Sequence, residues 1–214
     1  YLMTDKDAPR KRVVAVDLAD ASNPAWTEVI PQQEATLKSV SHVDHGFIGN
    51  YMQDATTRLK RFGEDGTVQG EIQLPGLGSA GTSGGRSDDT ETFYSFSSFT
   101  TPPAIYHLDL ETGESRVMSK TKVDFDPGDY VVEQIFYSSK DGTRVPMFLV
   151  HRKDMVRDGN NPTLLYGYGG FNISLKPRFS VSRLVWMEMG GVYAVANIRG
   201  GGEFGEKWHK AGTK

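Results

Sequence analysis

Cysteine is missing from all 214 residues, which excludes disulfides and thiolate metal sites and fits a reducing compartment, here expected to be the cytoplasm. An excess of positive charge is missing too. Lys and Arg number 24 against 27 Asp and Glu, a net charge of −3, so no basic field attracts nucleic acid or anionic lipid. No apolar run approaches the roughly 18 residues of a membrane helix, and no basic-then-apolar signal opens the chain. Neither nucleic acid nor membrane is an expected partner. The first residue is Tyr1 rather than Met, and Tyr1-Leu2-Met3-Thr4 already reads as the middle of a strand. The chain is therefore expected to be an internal segment of a longer protein. Its 37% hydrophobic and 24% charged content is ordinary for a globular protein and allows one large domain or two small ones.

Residues 1–120 hold short apolar runs separated by turn residues, without a sustained helical period. A weak repeat emerges on alignment. Val14-Ala15-Val16-Asp17-Leu18 leads through a turn to Val29-Ile30-Pro31, and Leu59 to Phe62 leads through Glu64-Asp65-Gly66 to Ile72-Gln73-Leu74-Pro75. Ile105 to Leu110 leads through Thr112-Gly113 to Val117-Met118. The turn acids Asp17, Asp65 and Asp109 recur at intervals of 48 and 44 residues. A period in the forties with several short strands per unit is the pattern of β-propeller blades, of which this stretch predicts about two to three. The alternative is a β-sandwich with coincidental spacing.

Two motifs in this half invite a catalytic reading. Gly81-Thr82-Ser83-Gly84-Gly85 has the letters of a G-x-S-x-G nucleophile elbow, which needs a buried strand before it and a helix after it. Here a glycine-rich stretch precedes it and Arg86-Ser87-Asp88-Asp89 follows, so an inter-strand loop is expected. His42 and His45 flank Asp44 without a third ligand nearby, so no metal site is expected there. No metal and no cofactor are expected anywhere in the chain.

Lys120 to Asp129, with Pro127 and Gly128, has linker composition, and a domain boundary is expected at residues 122/123. Beyond it, Val131 to Tyr137 and Val145 to Val150 flank Asp141-Gly142, a strong hairpin signal. Thr163 to Asn172, TLLYGYGGFN, passes from a short apolar run into a loop with Gly167, Gly169 and Gly170, where positive φ values are expected. Val181, Leu184, Val185 and Met189 then form a helical stripe that Gly190-Gly191 can end. Val192 to Ile198 reads as a buried parallel strand. Strand, loop, helix and strand after a hairpin predict the start of an α/β sheet. Gly200 to Gly205 has the letters G-x-G-x-x-G, but Glu203 would lie badly close to a pyrophosphate, so a structural loop is expected over a dinucleotide site.

The segments Thr163 to Leu184, Gly190 to Gly212, Ser139 to Lys153 and Asp88 to Glu114 resemble the prolyl oligopeptidase family of serine peptidases. The resemblance implies β-propeller blades over residues 1–122 followed by the start of an α/β-hydrolase peptidase domain over 123–214. It implies a full-length monomer that cleaves short proline-containing peptides on the carboxyl side of proline. Residue by residue, Tyr168 matches a tyrosine that binds the oxyanion, and Phe171 matches a phenylalanine lining the pocket for the substrate proline. The serine, aspartate and histidine of the triad are implied to lie beyond Lys214, so His209 is expected to be structural and the segment alone inactive. A related oligopeptidase cutting after basic residues and a non-catalytic propeller-derived binding module are the competing functions.

Overall fold

The computed structural model describes residues 1–19 and 24–213. The first half is built of antiparallel meanders. Strands β1 (Leu2–Thr4), β2 (Arg12–Val16) and β3 (Trp26–Ile30) form a three-stranded sheet. Strands β4 (Thr36–Val43), β5 (Gly46–Gln53), β6 (Thr56–Gly63) and β7 (Val68–Ile72) form a four-stranded one. A second four-stranded sheet comprises β8 (Ser79–Thr82), β9 (Glu91–Ser97), β10 (Ala104–Asp109) and β11 (Ser115–Lys120). Along β9 the alternation is plain: Thr92, Tyr94 and Phe96 are buried, while Glu91 and Ser95 are exposed. One apolar cluster joins the two four-stranded sheets through Val43, Ile48, Leu59, Tyr94, Phe96 and Leu108. Another joins the three-stranded sheet to its neighbour through Val13, Ile30, Leu37, Phe47 and Phe62. Successive meanders packed face to face are propeller blades, not the two opposed sheets of a sandwich.

The spaced aspartates have a common cause. Each sits in the turn joining the last two strands of its sheet and accepts from the backbone just ahead. Asp17 accepts from Ala19 N at 2.9 Å, Asp65 from Thr67 N at 3.0 Å, and Asp109 from Glu111 N at 2.9 Å and Thr112 N at 2.8 Å. These are Asx turns, which substitute a side-chain oxygen for a backbone acceptor. The same donors hold the Asp65 and Asp109 carboxyls below the usual range.

The second half carries a sheet of different design. Strands β12 (Tyr130–Ser138), β13 (Arg144–Arg152), β14 (Thr163–Gly167) and β15 (Val192–Ala196) take the order β12-β13-β15-β14. β12 and β13 form the expected hairpin across Asp141-Gly142, with Gly142 at φ +80°. β14 and β15 run parallel, joined over helix α1 (Val181–Glu188). Every residue of β15 is buried, which is why its sequence does not alternate. Gly190, at φ +87°, ends the helix as expected, and Gly191 N donates to Trp186 O at 3.0 Å.

The stripe on α1 needs correcting. Leu184 and Met187 are buried, whereas Val181, Val185 and Met189 are exposed. Trp186 explains the roll: its Nε1 donates to Val192 O at 2.9 Å, and the Arg183 guanidinium lies over the Tyr193 ring. Those contacts turn Leu184 and Met187 onto Phe148, Val150, Tyr193 and Val195.

Two intrusions tie the blades to this sheet. Ala55, at the Asp54-Ala55 turn between β5 and β6, is fully buried in the sheet's core cluster. Phe99, just past β9, places its ring 5.4 Å from that of Phe148 and 5.9 Å from that of Tyr193. Ser79 Oγ adds a hydrogen bond to Pro177 O at 2.8 Å.

Candidate active-site loop

At the end of β14 the chain enters the loop of Tyr168 to Asn172. Gly169 and Gly170 are needed there for close approach, not for backbone handedness, since the positive φ values expected at Gly167, Gly169 and Gly170 fall elsewhere. A methyl group on Gly169 would meet Arg199 O at 2.1 Å, and one on Gly170 would meet the Tyr168 hydroxyl oxygen at 2.9 Å. The Tyr168 ring thus folds back over Gly170. Its hydroxyl has no hydrogen-bond partner among the described residues, so its proton is available to a ligand.

The left-handed backbone belongs to Phe171, at φ +52°, and Asn172, at φ +58°. For a bulky aromatic this is an unusual conformation, costing about 1–3 kcal/mol, and such strain concentrates at functional sites. Backbone hydrogen bonds hold it: Asn172 N donates to Gly200 O at 3.2 Å, and Ile173 N to Gly170 O at 3.0 Å. The result is a phenylalanine that is 87% exposed on an ordered turn. Tyr168 and Phe171, singled out by resemblance, therefore share one loop, with one ring folded inward and the other held outward.

The second glycine loop is the support of the first. Gly200, at φ +99°, approaches Gly169 so closely that a methyl group on it would lie 1.9 Å from Gly169 O. His209, on the short helix α2 (Glu206–Lys210), donates from Nδ1 to Gly200 O at 2.8 Å, a structural task. Glu203 is fully buried within the loop. A buried carboxyl inside the glycine turn and a helix of one turn after it make no cradle for a phosphate.

Arg199 was not legible as part of this assembly. It crosses to the β12–β13 hairpin, bonding to Asp141 and donating to Ser139 Oγ at 3.2 Å. The Arg199 guanidinium, then the Thr143 N–H, hold the Asp141 carboxyl well below the usual range. The hairpin turn, chosen for its turn chemistry, thereby also anchors the residue whose carbonyl meets Gly169. A cleft of about 400 Å³ borders this assembly, lined by Asp5, Asp7, Lys11, Lys38, Asn172 and Glu206 among others.

The two catalytic look-alikes are structural. Ser83 lies between β8 and β9 with its Oγ donating to Phe93 O at 3.1 Å, and no helix follows. The His42 ring packs 5.0 Å from that of Phe47, while Asp44 pairs with Arg61.

Comparison with known proteins agrees with this architecture. A family model described as the prolyl oligopeptidase N-terminal beta-propeller domain matches residues 1–121, and one described as the prolyl oligopeptidase family matches residues 177–214. The chain is 47% identical over 214 residues to a prolyl endopeptidase of Elizabethkingia meningoseptica, covering all of this chain and 30% of that protein. A prolyl endopeptidase of Dictyostelium discoideum is 34% identical, with 100% and 30% covered. Among solved structures, one from an analysis of two prolyl endopeptidases superposes with a TM-score of 0.91 at 49% identity, covering 99% of this chain and 32% of the other. Prolyl oligopeptidase B of Galerina marginata, bound to a 35mer hydrolysis and macrocyclization substrate, gives a TM-score of 0.90 at 35% identity, with 99% and 30% covered. The chain thus spans about 30% of the length of these relatives. Propeller blades run into the first strands of a peptidase sheet, and both halves match the same group, so the chain belongs to the prolyl oligopeptidase family.

Proposed function

We propose that this chain is a segment of a serine endopeptidase that hydrolyses short peptides on the carboxyl side of proline. In this reading Tyr168 supplies an oxyanion donor and Phe171 a wall of the proline pocket. The observation that carries it is the Tyr168–Asn172 loop, where a free phenol and a strained, exposed phenylalanine are fixed by the facing glycine loop. Acyl transfer builds negative charge on the former carbonyl oxygen, and a preorganised donor at that oxygen lowers the barrier. A phenol at the head of a glycine loop reaches further than a backbone amide. A flat aromatic face held in solvent suits a flat pyrrolidine ring. The nucleophile and its base belong, in this reading, to the remainder of the enzyme, where residues 1–122 are propeller and 123–214 the start of the peptidase domain. A cytoplasmic location and a monomeric state belong to the same proposal, the first supported by the absence of cysteine from these 214 residues and the second by the family resemblance alone.

The test is turnover by the complete enzyme of fluorogenic peptides differing only at the residue before the scissile bond. Preference for proline over alanine, arginine and lysine is expected. Preference for the basic residues would replace proline by basic specificity. No turnover of any of them, with the loop residues intact, would favour a binding module.

A further inference from the structure

Glu203 is 0% exposed, yet it is an ionisable side chain in a loop that glycine could fill. Its Oε1 accepts from Leu175 N at 2.9 Å and from Asn197 Nδ2 at 3.2 Å. Asn197 Nδ2 also donates to Leu175 O at 2.6 Å. The other oxygen, Oε2, is buried without a hydrogen-bond partner among the described residues and faces Gly201, where a methyl group would meet it at 2.2 Å. A buried carboxyl left half-satisfied is costly, and packing alone does not account for it. What it does that an apolar side chain could not is bridge two segments. Leu175 continues the chain that carries Tyr168 and Phe171, and Glu203 belongs to the loop whose Gly200 presses on Gly169.

A cation arrives from the other half of the molecule. Lys38, on β4, donates from Nζ to Gly202 O at 3.0 Å, one residue before Glu203. We propose that Glu203 is a positioning residue that holds the Tyr168 loop against the Gly200–Gly205 loop, and that Lys38 links this hold to the propeller blade. The proposal rests on the reading of Tyr168 as oxyanion donor. The charged carboxylate forms the tight state, because charge strengthens its hydrogen bonds and attracts Lys38. Protonation weakens both.

The charges around the site set where that switch lies. Burial pushes the Glu203 carboxyl above the usual range, while hydrogen bonds from Leu175 and Asn197 and the charge of Lys38 pull back without reversing it. Lys38 is itself lowered, first by burial and then by Lys11, with Lys176 adding a little. Asp5, Asp7 and Glu206 line the cleft that Lys11 and Lys38 share, and His209 reaches Gly200 from α2.

Glu203→Gln keeps volume and an acceptor but cannot ionise, so it imitates the protonated state at every pH. In the complete enzyme, the ratio of kcat for wild type to that for Glu203→Gln should be about one at low pH. It should rise to about tenfold as Glu203 ionises, with KM within about twofold, the scale expected of a modest misplacement. The ratio cancels the titration of the catalytic base. In a Lys38→Met background the rise should move to higher pH, because removal of a nearby cation disfavours the carboxylate. A ratio flat with pH, at one or at any other value, would overturn positioning by the charge. An unmoved rise in the Lys38→Met background would overturn the link to the blade. Should Glu203→Gln fail to fold, the acid limb of kcat in Lys38→Met decides: a shift upward supports the proposal and an unshifted limb overturns it. An unchanged kcat in Tyr168→Phe, with the Glu203→Gln ratio still rising with pH, would fail the reading of Tyr168 instead, a different outcome.

Discussion

Gly169 and Gly200 face each other with no room for a side chain on either. A methyl group on Gly200 would lie 1.9 Å from Gly169 O, and Gly200 also holds φ at +99°. The contact is what lets one glycine loop support the other.

Gly200→Ala should therefore destabilise the protein through two effects, the left-handed backbone and the backbone clash. Strain of this kind costs about 1–3 kcal/mol before the clash is added. Gly76 is the matched control, since a methyl group there meets nothing within 4 Å and its φ is not positive. Gly76→Ala should be neutral or stabilising by about 0.4–1 kcal/mol. Thermal melts of the two variants check this. Equal melting temperatures would show that the loops are not in contact.

Acid should loosen the hairpin anchor. The Asp141 carboxyl is held well below its ordinary value of 3.8, first by Arg199 and then by Thr143. A carboxyl lowered in the folded state gives stability that is present above the unfolded value and lost as pH falls through the folded one. Wild type should be more stable than Asp141→Asn near neutral pH, and the two should converge below pH 3.8. Exposure and salt screening keep the difference small. Denaturation midpoints from neutral pH into the acid range would show it, and a constant difference would indicate a cause other than charge.

Sequence made the strands and the loop readable because their causes are local. Alternation marks β9, turn chemistry marks Asp141-Gly142, and a shared Asx turn marks Asp17, Asp65 and Asp109. Tyr168 and Phe171 came from resemblance, since nothing in their spacing distinguishes an oxyanion donor from an aromatic on a sheet edge. The rest depends on contacts across long separations. The roll of α1 follows from Trp186 finding Val192 O, which a hydrophobic stripe does not encode. Arg199 reaches Asp141 across 58 residues, and Lys38 reaches Gly202 across 164. Propensity alone puts the positive φ values on glycines. A local turn bond from Ile173 N to Gly170 O and a tertiary one from Asn172 N to Gly200 O hold them at Phe171 and Asn172 instead.

Phe99 should couple the blades to the peptidase sheet. It is 3% exposed, with its ring against those of Phe148 and Tyr193. Phe99→Ala removes a buried ring and leaves a cavity, a loss of about 3–5 kcal/mol. Because that ring spans the two halves, their unfolding should separate: denaturation of the complete enzyme followed by tryptophan fluorescence and by circular dichroism should lose coincidence in the variant. Transitions that stay coincident would mean that other contacts, such as Ala55, carry the coupling.

Tyr168 and Phe171 sit on one loop but should fail differently. If the Tyr168 hydroxyl donates to the oxyanion, Tyr168→Phe removes a donor and leaves the ring over Gly170. Loss of one such donor lowers kcat by roughly 10²–10³, or about 2.7–4 kcal/mol of transition-state stabilisation. The bond strengthens as charge develops, so KM should move little. On the same proposal, Phe171→Ala removes apolar surface that would contact the substrate before and during reaction. It should raise KM and relax the preference for proline, a pocket contact being worth about 1–3 kcal/mol. It should also relieve little backbone strain, because alanine at φ +52° is still left-handed, whereas Phe171→Gly would relieve it and free the loop. Steady-state kinetics of the complete enzyme on a proline peptide and its alanine counterpart separate these roles. Unchanged kcat in Tyr168→Phe on both peptides would make the hydroxyl structural, and an unchanged proline preference in Phe171→Ala would remove that ring from the pocket.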